Sequence, residues 1–232
     1  MSNTHYKPEA KLKVSLEDVD EIGDNHVAGS WETPIRKDAF EMDDKEKVEK
    51  ISEHFQEIMT ILGLDLTDDS LKGTPHRVAK MYVKEIFSGL NPKNKPKVTL
   101  FDNKYKYGEM LVEKDIAFHS NCEHHFVPIY GKVHVAYIPN NKVIGLSKIN
   151  RLVQYYAKRP QVQERMTVQI ANELMASLET GSVAVVVEAD HMCVSSRGVN
   201  DTHSSTVTAH YTGSFNEPAV KQEYLEHIRA GK

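Results

Sequence analysis

The spacing of apolar residues changes several times along this chain, and each change marks a new kind of element. From about Asp43 or Asp44 onward, Val48, Ile51, Phe55, Ile58, Met59 and Leu62 recur at steps of three and four. This spacing predicts an amphipathic helix, stopped at Gly63. Thr74-Pro75 reads as an N-cap followed by a first-turn proline, opening a second helix that buries Val78, Met81, Tyr82 and Ile86 and ends at Gly89. From about Val98 the runs become short and β-rich: residues 98–101, 110–118, 131–138 and 143–146, with Pro139-Asn140-Asn141 as a turn between the last two. Residues 132–138 alternate imperfectly, as a half-buried antiparallel strand would, and His134 within them reads as a strand residue, not a ligand. Helical spacing returns at Ser147, placed to cap a helix with Ile149, Leu152, Val153 and Tyr156 on one face and Arg159-Pro160 as its stop. Val162, Met166, Ile170, Leu174 and Leu178 predict a longer helix ending at Gly181. Residues 183–187 are continuously apolar, as in a central strand buried on both faces, and 204–215 read as a last strand before Pro218 opens a terminal helix. Helices, strands, helices and strands again make an α+β chain with mostly antiparallel pairing.

Composition narrows the class. At 232 residues the chain suits one large domain or a domain with an extension, and 40% hydrophobic with 27% charged residues is the balance of a soluble globular protein. The formal net charge of -4 gives no general affinity for nucleic acid, although a local basic pocket is compatible with it. The first residues lack the apolar core of a signal peptide, and no segment approaches the roughly 20 apolar residues that span a bilayer. A cytoplasmic protein with neither nucleic acid nor membrane as partner is expected. Residues 1–42 are polar and without sustained period, and are read as a flexible arm.

The candidate chemistry sits in the decapeptide HSNCEHHFVP, residues 119–128, which holds Cys122, Glu123, His124 and His125 together. The other cysteine, Cys193, lies in Asp190-His191-Met192-Cys193. A Cys-x-x-His pair with one distant Cys offers three soft or borderline donors, the number found in catalytic zinc sites that keep a position for water; structural zinc takes four. Two blander readings stand beside this one. Each cysteine could be a small buried hydrophobe, or the two could form a disulfide, which the absence of secretory character disfavours. Lys148 and Arg151, three apart, and Gln163-Glu164-Arg165 open the two later helices, and by themselves they read as wet helix faces.

Five segments, in order, resemble the GTP cyclohydrolase I family: Gly73-Thr74-Pro75-His76-Arg77-Val78-Ala79-Lys80-Met81, the stretch from Cys122 to Pro128, Gly145-Leu146-Ser147-Lys148-Ile149-Asn150-Arg151, Gln163-Glu164-Arg165, and His191-Met192-Cys193 with Arg197-Gly198. They cover about residues 45 to 217. The resemblance implies a tunnelling fold: an antiparallel sheet backed by helices, with an N-terminal helical region. Subunit sheets would join into a pentameric barrel, and two rings would stack as a homodecamer with sites between subunits. It divides the chain into the arm (1–42), a helical region (43–96), a catalytic region (97–217) and a C-terminal helix or tail (218–232).

The activity implied is conversion of GTP and water to 7,8-dihydroneopterin triphosphate and formate, the first step of pterin and tetrahydrofolate synthesis. Family resemblance assigns Zn²⁺ to Cys122, His125 and Cys193, and proton transfer to His124 and His191. It assigns the guanine edge to Glu164 with help from Gln163, and the ribose and triphosphate to Ser147, Lys148, Arg151, Arg197 and Arg77. His119, Glu123 and His203 remain as supporting or surface residues. A zinc-dependent nucleobase deaminase would need a Cys-x-x-Cys pair, which the sequence lacks. A non-catalytic relative would be marked by loss of His124, Glu164 or a ligand, and all are present.

Overall fold

A computed structural model describes residues 30–230. Residues 1–29, most of the arm expected from the sequence, lie outside that range. Helix α1 spans Asp44–Ile61 and α2 spans Thr74–Met81. Asp43 caps α1 by accepting the Glu46 backbone N–H at 2.8 Å, and Gly63 ends the turn with φ +82°. The apolar stripe of α1 is covered only in part: Val48 and Met59 are buried, while Ile61 and Leu62 are 84% and 71% exposed.

Boundaries of the second helix differ from the sequence reading. Gly73, not Thr74, is the N-cap of α2, so Thr74 lies inside the helix and makes no cap. The chain also continues past α2 through a π-turn, Tyr82–Ile86, into a 3-10 turn, Ser88–Leu90. Gly89 sits in that turn for a packing reason. Its N–H donates to Lys158 O at 2.8 Å, and a Cβ there would lie 2.0 Å from the Tyr155 carbonyl oxygen.

Strands β1 (Leu100–Asp102) and β4 (Lys142–Ile144) form a small antiparallel pair. The main sheet contains β2 (Leu111–Cys122), β3 (Pro128–Tyr137), β5 (Pro160–Gln161), β6 (Val183–His191) and β7 (Thr206–Tyr211), in the order β5-β2-β3-β6-β7. Its pairing is antiparallel except at the two-residue β5, which runs parallel to the end of β2. Helices α3 (Leu146–Ala157) and α4 (Gln163–Leu178) cover one face. Ile149, Leu152, Met166 and Ile170 pack there against Phe118, Ile129, Val133 and Val185. Gly145 occupies the N-cap of α3, so Ser147 lies within the first turn and does not cap it.

The other face carries α6 (Pro218–Arg229) over half its length. Phe215, Tyr224 and Ile228 pack on Ala136, Ala184 and Val186. Tyr224 Oη donates to His134 O at 2.8 Å, and Lys114 Nζ donates to His227 O and Ala230 O at the end of the helix. Residues 133–137 are therefore buried on both faces, correcting the half-buried reading of that strand. The alternation looked imperfect because each side of β3 has its own apolar cover. His134 is fully buried, with its Nδ1 facing the Asp115 N–H at 3.2 Å.

The other half of that face, toward Cys122 and His191, shows the exposed side chains of His119 and Tyr130, stacked with centroids 6.2 Å apart, and of Asp190. The β7 edge exposes Val207 at 62%. Between β2 and β6, Gly131 lets the strands close up: a Cβ there would lie 2.0 Å from the Glu188 carbonyl oxygen. Gly131→Ala should therefore cost about 3 kcal/mol or more, as overpacking against backbone does, read as a lowered denaturation midpoint or loss of folded protein.

Candidate active site

Strand register builds the site. β2 ends at Cys122 and β3 begins at Pro128, with Asn121 paired to Pro128; β3 also pairs with β6, Ile129 opposite His191. The tight loop after β2 and the short helix α5 (Met192–Ser195) after β6 are thus brought side by side. The loop is closed by Cys122 N–H to Val127 O and Phe126 N–H to Cys122 O, both 2.9 Å, with Phe126 in the left-handed region at φ +55°.

Cys122, His125 and Cys193 present one donor atom each, all within 4.8 Å of one another. Both cysteines are free thiols, so the disulfide reading is set aside. Cys122 Sγ lies 3.9 Å from His125 Nδ1 and 3.6 Å from His124 Nδ1. Burial pushes the Cys193 thiol above its usual range, the neighbouring Cys122 adds to this, and Arg197 pulls the other way. A cation beside the Cys193 sulfur would reverse that upward push. Three soft or borderline donors that meet in this way fit a thiophilic metal ion with an open coordination position.

The histidines flanking these donors are held differently. His124 is on the exposed side of the loop, with Nε2 3.9 Å from Glu123 Oε1. His191 is half-buried, and its Nε2 lies 2.7 Å from Gln163 Oε1. The Gln163 amide nitrogen is committed to Val187 O, Thr206 O and Thr208 Oγ1 at 3.0–3.1 Å. The amide oxygen must therefore face His191, whose Nε2 then carries the proton and leaves Nδ1 with the lone pair. Burial lowers the pKa of His191, against an upward pull from the carboxylates of Glu164 and Asp190.

Placed residue by residue, the sequence-derived set divides in two. Cys122, His124, His125, Gln163, Glu164, His191, Cys193 and Arg197 gather at one end of the sheet, with Arg197 Nη1 2.9 Å from His125 Nε2. Ser147, Lys148 and Arg151 belong to the start of α3, at the opposite end. Asn150 in that turn reaches Glu113 at the beginning of β2, while Gln154 further along reaches Ala117. Nine residue steps of strand, with a bulge between Glu113 and Ile116, lead from Glu113 to Cys122, at most about 30 Å at the usual rise. The guanidinium of Arg77 lies back over Gly73 at the start of α2.

Sequence reasoning gave no role to one member, Arg165, and did not foresee the contacts of another, Gln163. Arg165 is buried and makes a two-pronged ion pair with Glu123, Nη1–Oε2 2.6 Å and Nη2–Oε1 3.1 Å. Gln163, read as a guanine contact, has its side-chain amide committed to His191 and to β6 and β7. The sequence signal for both was the Gln163-Glu164-Arg165 segment at the start of a helix, which does not say which neighbours the side chains reach. A separate cavity of about 700 Å³, lined by Phe40, Tyr82, Phe87 and Phe126 among others, lies behind the loop and reaches Glu123 but none of the three donors.

The fold and this constellation define a class: an α+β protein with a Cys-His-Cys group that could hold a metal ion, flanked by two imidazoles and a carboxylate. The family model for GTP cyclohydrolase I matches residues 51–229. The protein "GTP cyclohydrolase 1" of Flavobacterium johnsoniae is 58% identical over 211 residues, 91% of this chain and 95% of that protein. Those of Citrobacter koseri and Vibrio parahaemolyticus are 53% and 55% identical, covering 88% and 85% of this chain and 92% and 91% of theirs. The chain belongs to the GTP cyclohydrolase I family.

The electrostatics give a directional test. Because the folded pKa of His191 lies below its unfolded value, its contribution to stability is full above the unfolded value and is lost as pH falls through the folded one. Glu164→Gln removes an upward pull, so the His191 titration followed by NMR in chelator-treated protein should move to lower pH. An unchanged or raised midpoint would show that Glu164 does not act on this ring.

Proposed function

We propose that this protein acts as a GTP cyclohydrolase through the Cys122, His125 and Cys193 group, converting GTP and water to formate and 7,8-dihydroneopterin triphosphate with Zn²⁺ as cofactor. The observation that carries the reading is the meeting of these three donors beside His124, His191 and Glu164. Tetrahedral zinc puts donor pairs roughly 3.5–3.8 Å apart, and the Cys122–His125 separation of 3.9 Å is near that value. Zinc held there supplies the Lewis acidity that makes water a nucleophile near neutral pH.

The protein's own groups account for the remaining steps. Carbon 8 of guanine, between two nitrogens, is the position hydrated, and each of the two C–N cleavages that follow needs a proton at nitrogen. His124, on the loop surface, is placed to exchange protons with solvent and substrate. His191 offers Nδ1, because Nε2–H is committed to Gln163. Glu164, exposed at the first turn of α4, can accept the adjacent N–H donors of guanine; adenine would leave the carboxylate unmatched, and unpaired polar groups make such discrimination large. Arg197, Arg77, Ser147, Lys148 and Arg151 are assigned to the ribose and triphosphate.

The α3 start, tied to Glu113 by Asn150, sits at the far end of β2 from Cys122, and this separation favours sites shared between subunits. Open edges along β2 and β7 and the exposed Ile61, Leu62 and Val207 also favour assembly. We assign the tunnelling fold's pentameric barrel, paired as a decamer, to this chain, with a cytoplasmic location. No helix among the described residues is long and apolar enough to cross a membrane.

The first test is formate release and oxidised-pterin fluorescence from metal-quantified protein given GTP. Both should appear, vanish on chelation and return with zinc; neither product from zinc-loaded assembled protein would overturn the assignment. Glu164→Gln should retain zinc and assembly yet lose at least about a hundredfold in kcat/KM for GTP. Shared sites predict complementation: Cys193→Ser and Lys148→Ala protein, each inactive, should regain about a quarter of parental activity when equal amounts are co-assembled. No recovery would place both groups in one subunit's site.

A further inference from the structure

Three consecutive residues at the start of α4 face three directions. Gln163 reaches back to His191, two residues before Cys193. Glu164 is exposed toward the site. Arg165, whose side chain is only 4% exposed, reaches the carboxylate of Glu123, the residue between Cys122 and His124. One helical turn therefore touches both donor-bearing segments, at 2.7 Å through Gln163 and at 2.6 Å through Arg165.

From this arrangement we infer that Glu123 and Arg165 are positioning residues, a brace that holds the Cys122–His125 loop at a set distance from the turn carrying Glu164. The inference rests on the proposed reaction, in which the metal donors and Glu164 must hold opposite ends of one purine. Several features favour a brace over an incidental surface pair. The contact is a planar fork, which fixes orientation as well as distance. It is anchored on the loop side by the main chain, where Glu123 N–H donates to Gln161 O at 3.0 Å in β5. Arg165 is itself seated among the residues that bury the start of α4, so it cannot follow the loop if the loop moves. The carboxylate also approaches His124 Nε2, at 3.9 Å from Oε1, so the same group borders the loop's proton-transfer imidazole. Two other side-chain ties of the loop, Asn121 Nδ2 to Phe126 O and Arg197 to His125, are local to it or exposed. The brace joins it to the helix.

A brace and a merely stabilising ion pair predict different measurements. Glu123→Gln keeps the shape and one neutral acceptor for Arg165 but loses the charge-assisted fork; Arg165→Lys keeps the charge and loses the planar geometry. With the brace, each variant should release zinc to a chromogenic chelator about ten- to a hundredfold faster than the parent, the usual scale for partners just outside a metal's ligands. Their kcat for GTP should fall by a similar factor while KM stays within about threefold. The double variant should be no worse than the worse single, because both act through one contact.

Zinc release and kcat within about twofold of the parent, with only the thermal midpoint lowered, would make the pair purely structural and overturn the inference. A raised KM at unchanged kcat would overturn it too, by placing the pair in substrate binding. If Arg165→Lys fails to fold, Glu123→Gln alone decides, since its side chain is partly exposed and isosteric. Zinc release is read without GTP, so it tests the brace even if the parent turns over no GTP. That result would instead sink the proposed reaction.

Discussion

The pairing of β3 with both β2 and β6 is the constraint on which the rest depends. Cys122 and Cys193 are distant in sequence, and the strand between them sets their segments side by side, where Arg197 also meets His125. With Asn121 opposite Pro128 and Ile129 opposite His191, both donor-bearing turns leave the same end of the sheet. A slip of one residue would turn every side chain of a strand to the opposite face. Burial of 133–137 on both sides penalises such a slip, because polar neighbours would have to enter one of two apolar layers. The precision of the metal group thus derives from the two cores above and below β3.

The second support is the α4 helix start. Its buried face, with Met166, Ile170 and Leu174, belongs to the main core, which fixes the axis of the helix on the sheet. The first turn then projects past that core with polar side chains: Gln163 to β6 and β7, Glu164 outward, Arg165 to the loop. Burying Gln163 and Arg165 is tolerable because their hydrogen-bonding groups find partners inside the protein. Core packing therefore sets the site geometry through one turn of helix. The outward carboxylate is held at a defined place without being buried itself.

The residues assigned to the reaction do not all lie at one end of the sheet. The Cys-His-Cys donors and Glu164 gather at one end, while the Ser147, Lys148 and Arg151 turn occupies the other. The exposed edge of β7 and the uncovered end of α1 belong to the same pattern. These are surfaces that an isolated domain would be expected to cover, and the proposed symmetric assembly would cover them while bringing unlike ends together.

Much of the fold was legible in the sequence because its signals are local. The α1 stripe, the Gly63 stop, the apolar 183–187 strand and the Pro218 helix start all depend on residues within a turn or two of one another, and each appears in the structure. The three donors were legible as residue types with suggestive spacing, and the motif set pointed to the family. What stayed hidden was non-local. The double burial of β3 depends on a helix more than eighty residues downstream whose Tyr224 bonds His134. Gln163 and Arg165 looked like a wet helix face because nothing in a first turn says which neighbour it will meet. Sequence determined which residues could ligate, transfer protons and carry charge; only the tertiary structure decided which of them share a site. Side-chain chemistry is a property of single residues, whereas distance between them is set by strand register and packing.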